Sequence, residues 1–162
     1  MRKTKFNNVL RGAALVAVAG FSVAYSATSS AADVYFRNTS VSKNLSDDGS
    51  PVALISVSIP AGVWLVTAKA NPVSFGAADY VRCRILVGSS QRDAGATLLG
   101  NAAPGPTGEM GPSVATIALQ AVVTTTATKT FKLDCQHDSP TPGIYVDPGA
   151  SIMIVRSPGT TG

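Results

Sequence analysis

Apolar residues recur at every second position in several segments of this chain, and this period of two constrains its fold more than any other feature. Side chains of a β-strand point alternately to the two faces of a sheet, so a strand with this pattern buries one face and exposes the other. Two segments show the pattern most clearly. Their predicted buried sets are Val81, Cys83, Ile85 and Val87 in the first, and Phe131, Leu133 and Cys135 in the second.

Strand signals occur at nine places, whereas apolar residues at helical spacing are nearly absent. Turns such as Pro60-Ala61-Gly62 separate the strands, because glycine tolerates a positive φ and proline fixes its own. Eight or nine short strands within residues 33–162 predict an all-β fold, namely a two-sheet β-sandwich. The predicted strands are 34–37, 52–59, 63–70, 80–87, 96–99, 114–123, 129–135, 143–146 and 151–156.

The two cysteines lie on the inward faces of two predicted strands, which favours an internal Cys83–Cys135 disulfide. Closing a loop of this length stabilises a domain by about 4 kcal/mol in the chain-entropy account. Two buried free thiols and an intermolecular bridge are the alternatives. A lone cysteine pair lacks the spacing of a structural zinc site, and we predict no metal and no cofactor.

The N-terminal segment has the pattern of a secretory signal peptide. Basic residues, from Arg2 to Arg11, precede an apolar run at 13–27 and small residues that end at Ala32. We predict cleavage after Ala32, with cleavage after Ser26 and a retained membrane anchor as alternatives; a spanning helix needs roughly twenty apolar residues. The expected organisation is a signal peptide (1–32), a β-sandwich domain (33–157) and a flexible tail (158–162).

Removal of this signal changes the charge of the product. The chain has 13 Lys and Arg residues, of which four lie in the signal, and 9 Asp and Glu residues. The remaining nine basic and nine acidic residues give a net charge of zero, so no long-range attraction draws the product to nucleic acid. We therefore predict no nucleic-acid partner. The Ala-rich signal is typical of bacteria, so we also predict a bacterial protein, secreted or periplasmic, with no membrane attachment after cleavage.

A turn into an early core strand carries a resemblance to a known family. The segment Ile59-Pro60-Ala61-Gly62-Val63-Trp64-Leu65-Val66-Thr67-Ala68-Lys69 resembles a hairpin of small secreted bacterial jelly-roll proteins, which are similar to the tumour-necrosis-factor and complement globular-head jelly rolls. Segments 119–123, 130–135 and 150–155 are also similar. The resemblance implies jelly-roll topology, homotrimers and ligand binding, but it carries over no functional residue.

Fimbrial subunits assembled by donor-strand exchange offer a second comparison. They resemble this chain in export, in size and in their single disulfide. The aromatic residue usual next to their C-terminus is missing from 157–162. A fimbria-like polymer subunit therefore stands as the alternative function.

Catalytic signals are weak. The chain has a single histidine, His137, and Asp138 and Ser139 follow it directly, yet neighbouring side chains rarely converge on one substrate atom. We expect His137 to be a solvated loop residue and the protein not to be an enzyme, with a hydrolase using His137 as the less favoured reading. The pair Asp47-Asp48 lacks the repeated spacing of a calcium loop.

Binding is better supported by residue type. Tyr80, Arg82 and Arg84 share the outward face of one predicted strand, and Tyr145 is expected to point outward on another. Aromatic faces and guanidinium donors bind sugars and acidic groups, so we predict a carbohydrate or a cell-surface protein as partner. The alternative is that these residues merely solvate a sheet and pair with Asp79 or Asp93. The sequence thus predicts a secreted, non-catalytic structural or binding module that acts by surface recognition or self-assembly.

Overall fold

The computed structural model describes residues 33–76, 78–100, 113–139 and 142–157. Regular structure in these ranges consists of strands alone, which confirms the predicted all-β class. No helix in the described ranges is long and apolar enough to cross a membrane. The predicted signal peptide (1–32) and tail (158–162) lie outside the described residues.

Twelve strands form three antiparallel sheets of four strands each. The sheet orders are β1-β12-β4-β9, β2-β11-β5-β8 and β3-β10-β6-β7. The strands are β1 (Val34–Asn38), β2 (Lys43–Asn44), β3 (Val52–Ile59), β4 (Gly62–Ala70), β5 (Pro72–Ser74), β6 (Asp79–Val87), β7 (Ser90–Leu99), β8 (Ser113–Val114), β9 (Ile117–Thr125), β10 (Lys129–His137), β11 (Tyr145–Val146) and β12 (Ser151–Arg156).

The first two sheets are one layer of a sandwich, interrupted across its middle. Their strand orders match position by position, because the chain runs from β1 into β2, from β4 into β5, from β8 into β9 and from β11 into β12. A single residue, Asn71, separates β4 from β5. We call this composite layer 1, and we call the sheet β3-β10-β6-β7 layer 2.

The two layers have jelly-roll topology. With each interrupted strand counted once, the sandwich has eight strands, and the first pairs with the eighth, the second with the seventh, the third with the sixth and the fourth with the fifth. This pairing is that of one long antiparallel hairpin folded over into two sheets. The predicted two-sheet jelly roll of eight or nine strands is confirmed in this sense, and the count rises to twelve because layer 1 is interrupted.

Main-chain hydrogen bonds hold the two halves of layer 1 together at the interruption. The N–H of Asp147 donates to the carbonyl of Asn71 at 3.0 Å. Nearer the edge, the N–H of Thr39 donates to Ala150 at 2.9 Å, and the N–H of Gly149 donates to the carbonyl of Thr39 at 2.8 Å. Gly149 has a φ of 90°, which glycine adopts without strain. The interruption is therefore an ordered seam.

Strand β7 begins six residues before the predicted start at 96. Its first half is polar and lacks alternation, so the pattern gives no strand signal there. Gly95 faces inward, and a Cβ at this position would lie 2.9 Å from Cγ2 of Ile117. Gly95 therefore lets β7 approach β9 closely. Because glycine has no side chain, the same residue adds nothing to the apolar pattern of the strand in the sequence. Strands β2 and β5 are too short to show a period.

Facing side chains of the two layers form one buried core. Trp64 of β4 and Phe131 of β10 are its largest fully buried members. The alternating apolar sets of both segments singled out in the sequence belong to this core, since Val81, Cys83, Ile85 and Val87 join Phe131, Leu133 and Cys135. Period two alone thus identifies the inner faces of β6 and β10.

One irregularity in layer 2 brings two consecutive residues into the core. Leu54 and Ile55 of β3 are both buried, although neighbours on a regular strand point to opposite faces. The register between β3 and β10 shifts between Leu133 and Asp134, which leaves an extra residue on β3. This is a β-bulge, and it turns Leu54 inward.

The predicted disulfide is confirmed. Cys83 and Cys135 are direct register partners on β6 and β10, with their Cα atoms 4.1 Å apart, and their sulfurs are bonded at 2.02 Å. Both side chains are buried. The bond therefore links the two central strands of layer 2 inside the core, and neither of the alternatives with free or intermolecular thiols holds.

Replacing both cysteines, as Cys83→Ala with Cys135→Ala, should lower the free energy of unfolding by about 4 kcal/mol, because the unfolded chain then regains the freedom of a long loop. Urea unfolding, followed by the fluorescence of Trp64, measures the loss. Full reduction of the wild-type protein is the matched control and should give a similar midpoint. An unchanged midpoint in both samples would contradict the assigned role of the bond.

Candidate functional site

His137 is buried inside the sandwich, at the end of β10. Its exposed fraction is 0%, and its Nδ1 lies 2.9 Å from Oδ2 of Asp79, the first residue of β6. A carboxylate accepts, so Nδ1 is the donor of this bond. The N–H of Ser139 also donates to the Asp79 carboxylate, at 3.1 Å and 3.2 Å. This buried pair thus ties the ends of β6 and β10 together.

The expectation of a solvated loop histidine is wrong. Strand β10 continues two residues beyond the predicted end, so His137 follows Phe131, Leu133 and Cys135 onto the inward face. The alternation already visible in the sequence, extended by one step, would have found it. The partner is the distant Asp79, whereas the neighbouring Asp138 pairs elsewhere.

The geometry gives no support to a hydrolase built on His137. A general base must reach a proton on the substrate. The Nε2 atom of His137 is buried and has no hydrogen-bond partner among the described residues. The pair with Asp79 therefore has a structural role in this conformation.

Replacing Asp79 by alanine should lower the free energy of unfolding by about 2–4 kcal/mol, since His137 Nδ1 and the Ser139 N–H would both lose their acceptor in a buried place. Urea unfolding measures the effect. The matched control is Asp138→Ala, which removes a carboxylate nearby that is exposed and should cost much less. Equal losses in the two variants would contradict a special role for the buried pair.

The outward face of β6 carries two ion pairs to β10 and the residue that follows it. Arg82 donates from Nε and Nη2 to Asp138, at 2.7 Å and 2.6 Å. Arg84 donates in the same way to Asp134, its direct register partner, at 2.7 Å and 3.4 Å. The predicted alternative partners Asp79 and Asp93 are wrong, because Asp79 is buried against His137 and Asp93 accepts from Gln120 N at 2.7 Å.

The pair of Arg82 with Asp138 favours the charged form of both side chains. The hydrogen bonds from Arg82 hold the pKa of Asp138 below its usual value, and the bond and charge of Asp138 raise the pKa of Arg82. The guanidinium carbon of Arg82 also lies 5.6 Å from the centre of the exposed Tyr80 ring, within range of a cation–π contact. Tyr80 and Arg82 are therefore held together, and both pairs are neutral as units.

A shallow cleft of about 230 Å³ lies beside the two arginines. Its lining residues are Arg82, Cys83, Arg84, Gln91, Ala94 and Gln136, from β6, β7 and β10. Tyr80 lies just beyond it, on the same face of β6. Sequence reasoning missed the glutamines and Ala94, because the first half of β7 gave no strand signal and neighbours across the sheet depend on register.

Tyr145 is not part of this cleft. It lies on β11 in layer 1, half-buried, and its ring stacks on Phe75 with 6.3 Å between the centres. The structure thus brings together three of the four predicted binding residues, Tyr80, Arg82 and Arg84, on layer 2. The fourth is on the other layer.

The pKa of Asp138 should lie below the usual 3.8 in the folded protein and return toward it in Arg82→Met. A lowered pKa means that the pair adds stability above about pH 4, and that this contribution is lost as the pH falls through the folded-state value. Carbon-13 NMR titration of the carboxyl group measures the pKa, and high salt should weaken the shift because the pair is exposed. An identical titration in Arg82→Met would contradict this cause.

The outer face of layer 1 carries a different surface, made of apolar side chains in two adjacent rows. Register places Val34, Val155, Leu65 and Val122 side by side across β1, β12, β4 and β9. In the next row Phe36 lies opposite Met153. We call these six residues the outer apolar patch, which comprises Val34, Phe36, Leu65, Val122, Met153 and Val155.

Much of the outer apolar patch is open to solvent. Val122 is 73% exposed, Phe36 53%, Val34 57% and Met153 40%. A groove of about 260 Å³ runs beside Phe36 and Met153 toward Lys69. Lys69 lies in the outward row that follows these two, and it carries the single charge in the three rows across β1, β12, β4 and β9. The sequence signal for this surface is the unbroken apolar run 152–155 of β12, which places apolar side chains on both faces of the strand.

In the acidic pair considered for calcium, Asp48 accepts hydrogen bonds from residues of its own turn. Oδ1 of Asp48 accepts from the Ser46 hydroxyl at 2.7 Å and from the Ser50 N–H at 2.8 Å. These bonds lower the pKa of Asp48 to about 2. Within the described ranges no three His, Cys, Asp or Glu residues cluster in a way that would hold a metal ion.

Comparisons with known proteins leave the family open. No family model matches the chain, and no curated protein matches it. Solved structures of infectious bursal disease virus, one of the Gx strain and one of a T13 viral particle, resemble it with TM-scores of 0.46 and 0.48, at 13% and 12% identity. They cover 81% and 77% of this chain, which spans about a third of each viral protein (34% and 31%). Similarity this low carries no argument about function.

Proposed function

We propose that this protein is a non-catalytic structural module that associates with a second copy of itself through the outer apolar patch. Exposed apolar residues scattered singly are ordinary, whereas a contiguous patch marks an interaction surface. Six such residues in register on four strands form a contiguous patch. This row arrangement is the observation that carries the proposal.

The size of layer 1 supports a protein-sized occupant. Nine residues of β4 and four strands span about 30 Å by 19 Å, or about 570 Å² of flat area before side-chain relief is added. A specific interface buries about 800 Å² on each partner. The outer face of layer 1 therefore approaches this scale, while the grooves beside it are too small to take a partner domain.

Charge and symmetry support a second copy as that occupant. Residues 33–162 have no net charge, and Lys69 is the one charged side chain among the outward rows, so two copies meet face to face without electrostatic repulsion. Two four-stranded sheets stack well when their apolar faces meet at about 30°. Because one patch contacts its own copy in an isologous pair, the expected oligomer is a dimer.

Two earlier expectations bear on this proposal. A trimer, which the resemblance to tumour-necrosis-factor-like jelly rolls implies, requires two different complementary surfaces, and the outer apolar patch is one surface. A fimbria-like subunit requires an inserted strand from a neighbour. The eight-strand pairing is already complete in the described ranges, so this fold needs no donor strand. Export by the predicted signal would place the assembly outside the cytoplasm.

The full chain, expressed in a host that exports and oxidises it, should have the mass of two copies by size-exclusion chromatography with light scattering. Val122→Lys should shift the mass to one copy, because it puts a charge into the most exposed part of the apolar contact. Leu98→Lys is the matched control, since Leu98 is also an exposed aliphatic strand residue (53%) but lies on layer 2, and it should leave the dimer intact.

Three results would overturn the proposal. The first is a wild-type protein that stays monomeric at roughly 100 μM, a concentration at which even a micromolar interface is occupied. The second is a dimer that Val122→Lys leaves unchanged. The third is dissociation by Leu98→Lys as well, which would place the contact elsewhere.

A further inference from the structure

We infer that the cleft beside Arg82 and Arg84 is a binding site for one ring of a neutral saccharide. It lies on the outer face of layer 2, so it is separate from the outer apolar patch and does not depend on self-association. The site consists of the polar side chains that line the cleft together with Tyr80, which flanks it on the same face of β6.

The arginines are held in place before any ligand arrives. Arg82 and Arg84 each use Nε and Nη2 to bind an aspartate, and in the part of the chain that the structure describes the Nη1 group of each has no protein acceptor. Side chains fixed in this way lose little freedom when they bind a ligand. The Nη1 amino groups of two arginines on alternate residues of one strand are thus available as donors beside the cleft.

The carboxamides of Gln91 and Gln136 complete the polar lining. An amide offers both a donor and an acceptor, which matches hydroxyl groups that also donate and accept. Ala94 is the register partner of Arg84 on β7 and adds no bulk, so the cleft stays open between β6 and β7. This combination of paired donors and acceptors suits a polyol better than it suits an apolar ligand.

Tyr80 supplies an apolar surface next to these polar groups. Its side chain is 48% exposed, and Leu98, its register partner on β7, is exposed beside it. An aromatic ring at a rim presents a flat apolar face with a polar tip, which suits the C–H face of a sugar ring. The contact between Arg82 and the Tyr80 ring joins this surface to the polar cleft.

The charge balance favours a neutral ligand over an anionic one. Asp138 neutralises Arg82 and Asp134 neutralises Arg84, so the cluster has no net charge. Lys132 is one row further along β10 and does not line the cleft. A phosphate or uronate would meet two carboxylates close to both guanidinium groups. The cleft volume of about 230 Å³ lies below the roughly 300–1,000 Å³ of pockets for drug-sized ligands, and so fits a single ring of a longer chain.

The test measures binding of the full exported chain to defined oligosaccharides. The neutral probes are cellohexaose, maltohexaose, mannohexaose and chitohexaose, and the anionic probes are polygalacturonate and heparin. At least one neutral probe should bind, and Arg82→Met and Tyr80→Ala should each raise its dissociation constant roughly tenfold or more, since each removes a contact group. Arg92→Met is the matched control, because Arg92 is exposed on β7 outside the cleft and should leave binding unchanged.

A second variant tests the charge argument. Asp138→Asn keeps the shape of the side chain but leaves Arg82 with an uncompensated charge, so it should weaken the neutral probe and gain affinity for polygalacturonate. The proposal is overturned if no neutral probe binds at millimolar concentration, if only the anionic probes bind, or if binding survives Arg82→Met. Val122→Lys should keep the single-site dissociation constant, so failure of self-association and failure of this site are distinguishable.

Discussion

The pairing of β6 with β10 is the constraint on which the rest of the structure depends. Its inward side carries the Cys83–Cys135 bond, and its outward side carries the pair of Arg84 with Asp134. At one end of the same ladder, Asp79 binds His137 inside the sandwich. A slip of one residue would turn every side chain to the opposite face, placing arginines in the core and cysteines in water. One register thus sets both the core and the cleft.

The two layers differ in what they offer to solvent, although both bury an apolar inner face. In layer 2, β6 and β10 alternate regularly, so their outward side is mostly polar and carries the two Arg–Asp pairs. Layer 1 is apolar on both sides along β12 and part of β4, which leaves the outer apolar patch unpaired. This asymmetry supports two separate roles, with self-association on layer 1 and ligand recognition on layer 2.

Much of the fold could be predicted because its signals are local. Strands β3 and β12 match their predicted bounds, and the cysteines were placed by the face they share with Phe131 and Leu133. The failures have a common cause. His137 was assigned to a loop because the end of a strand depends on its partner, and the aspartates that pair with the arginines were misassigned because pairing depends on register.

The sequence by itself determined the class of the fold, its inner faces and its disulfide, since period two and the position of each cysteine within it are properties of single segments. The tertiary structure alone decided which strands are neighbours. That choice placed Gln91 and Gln136 beside the arginines and aligned Val34 with Val122 across four strands. Residues far apart in the chain share a surface only through strand order and register, and no local pattern specifies either.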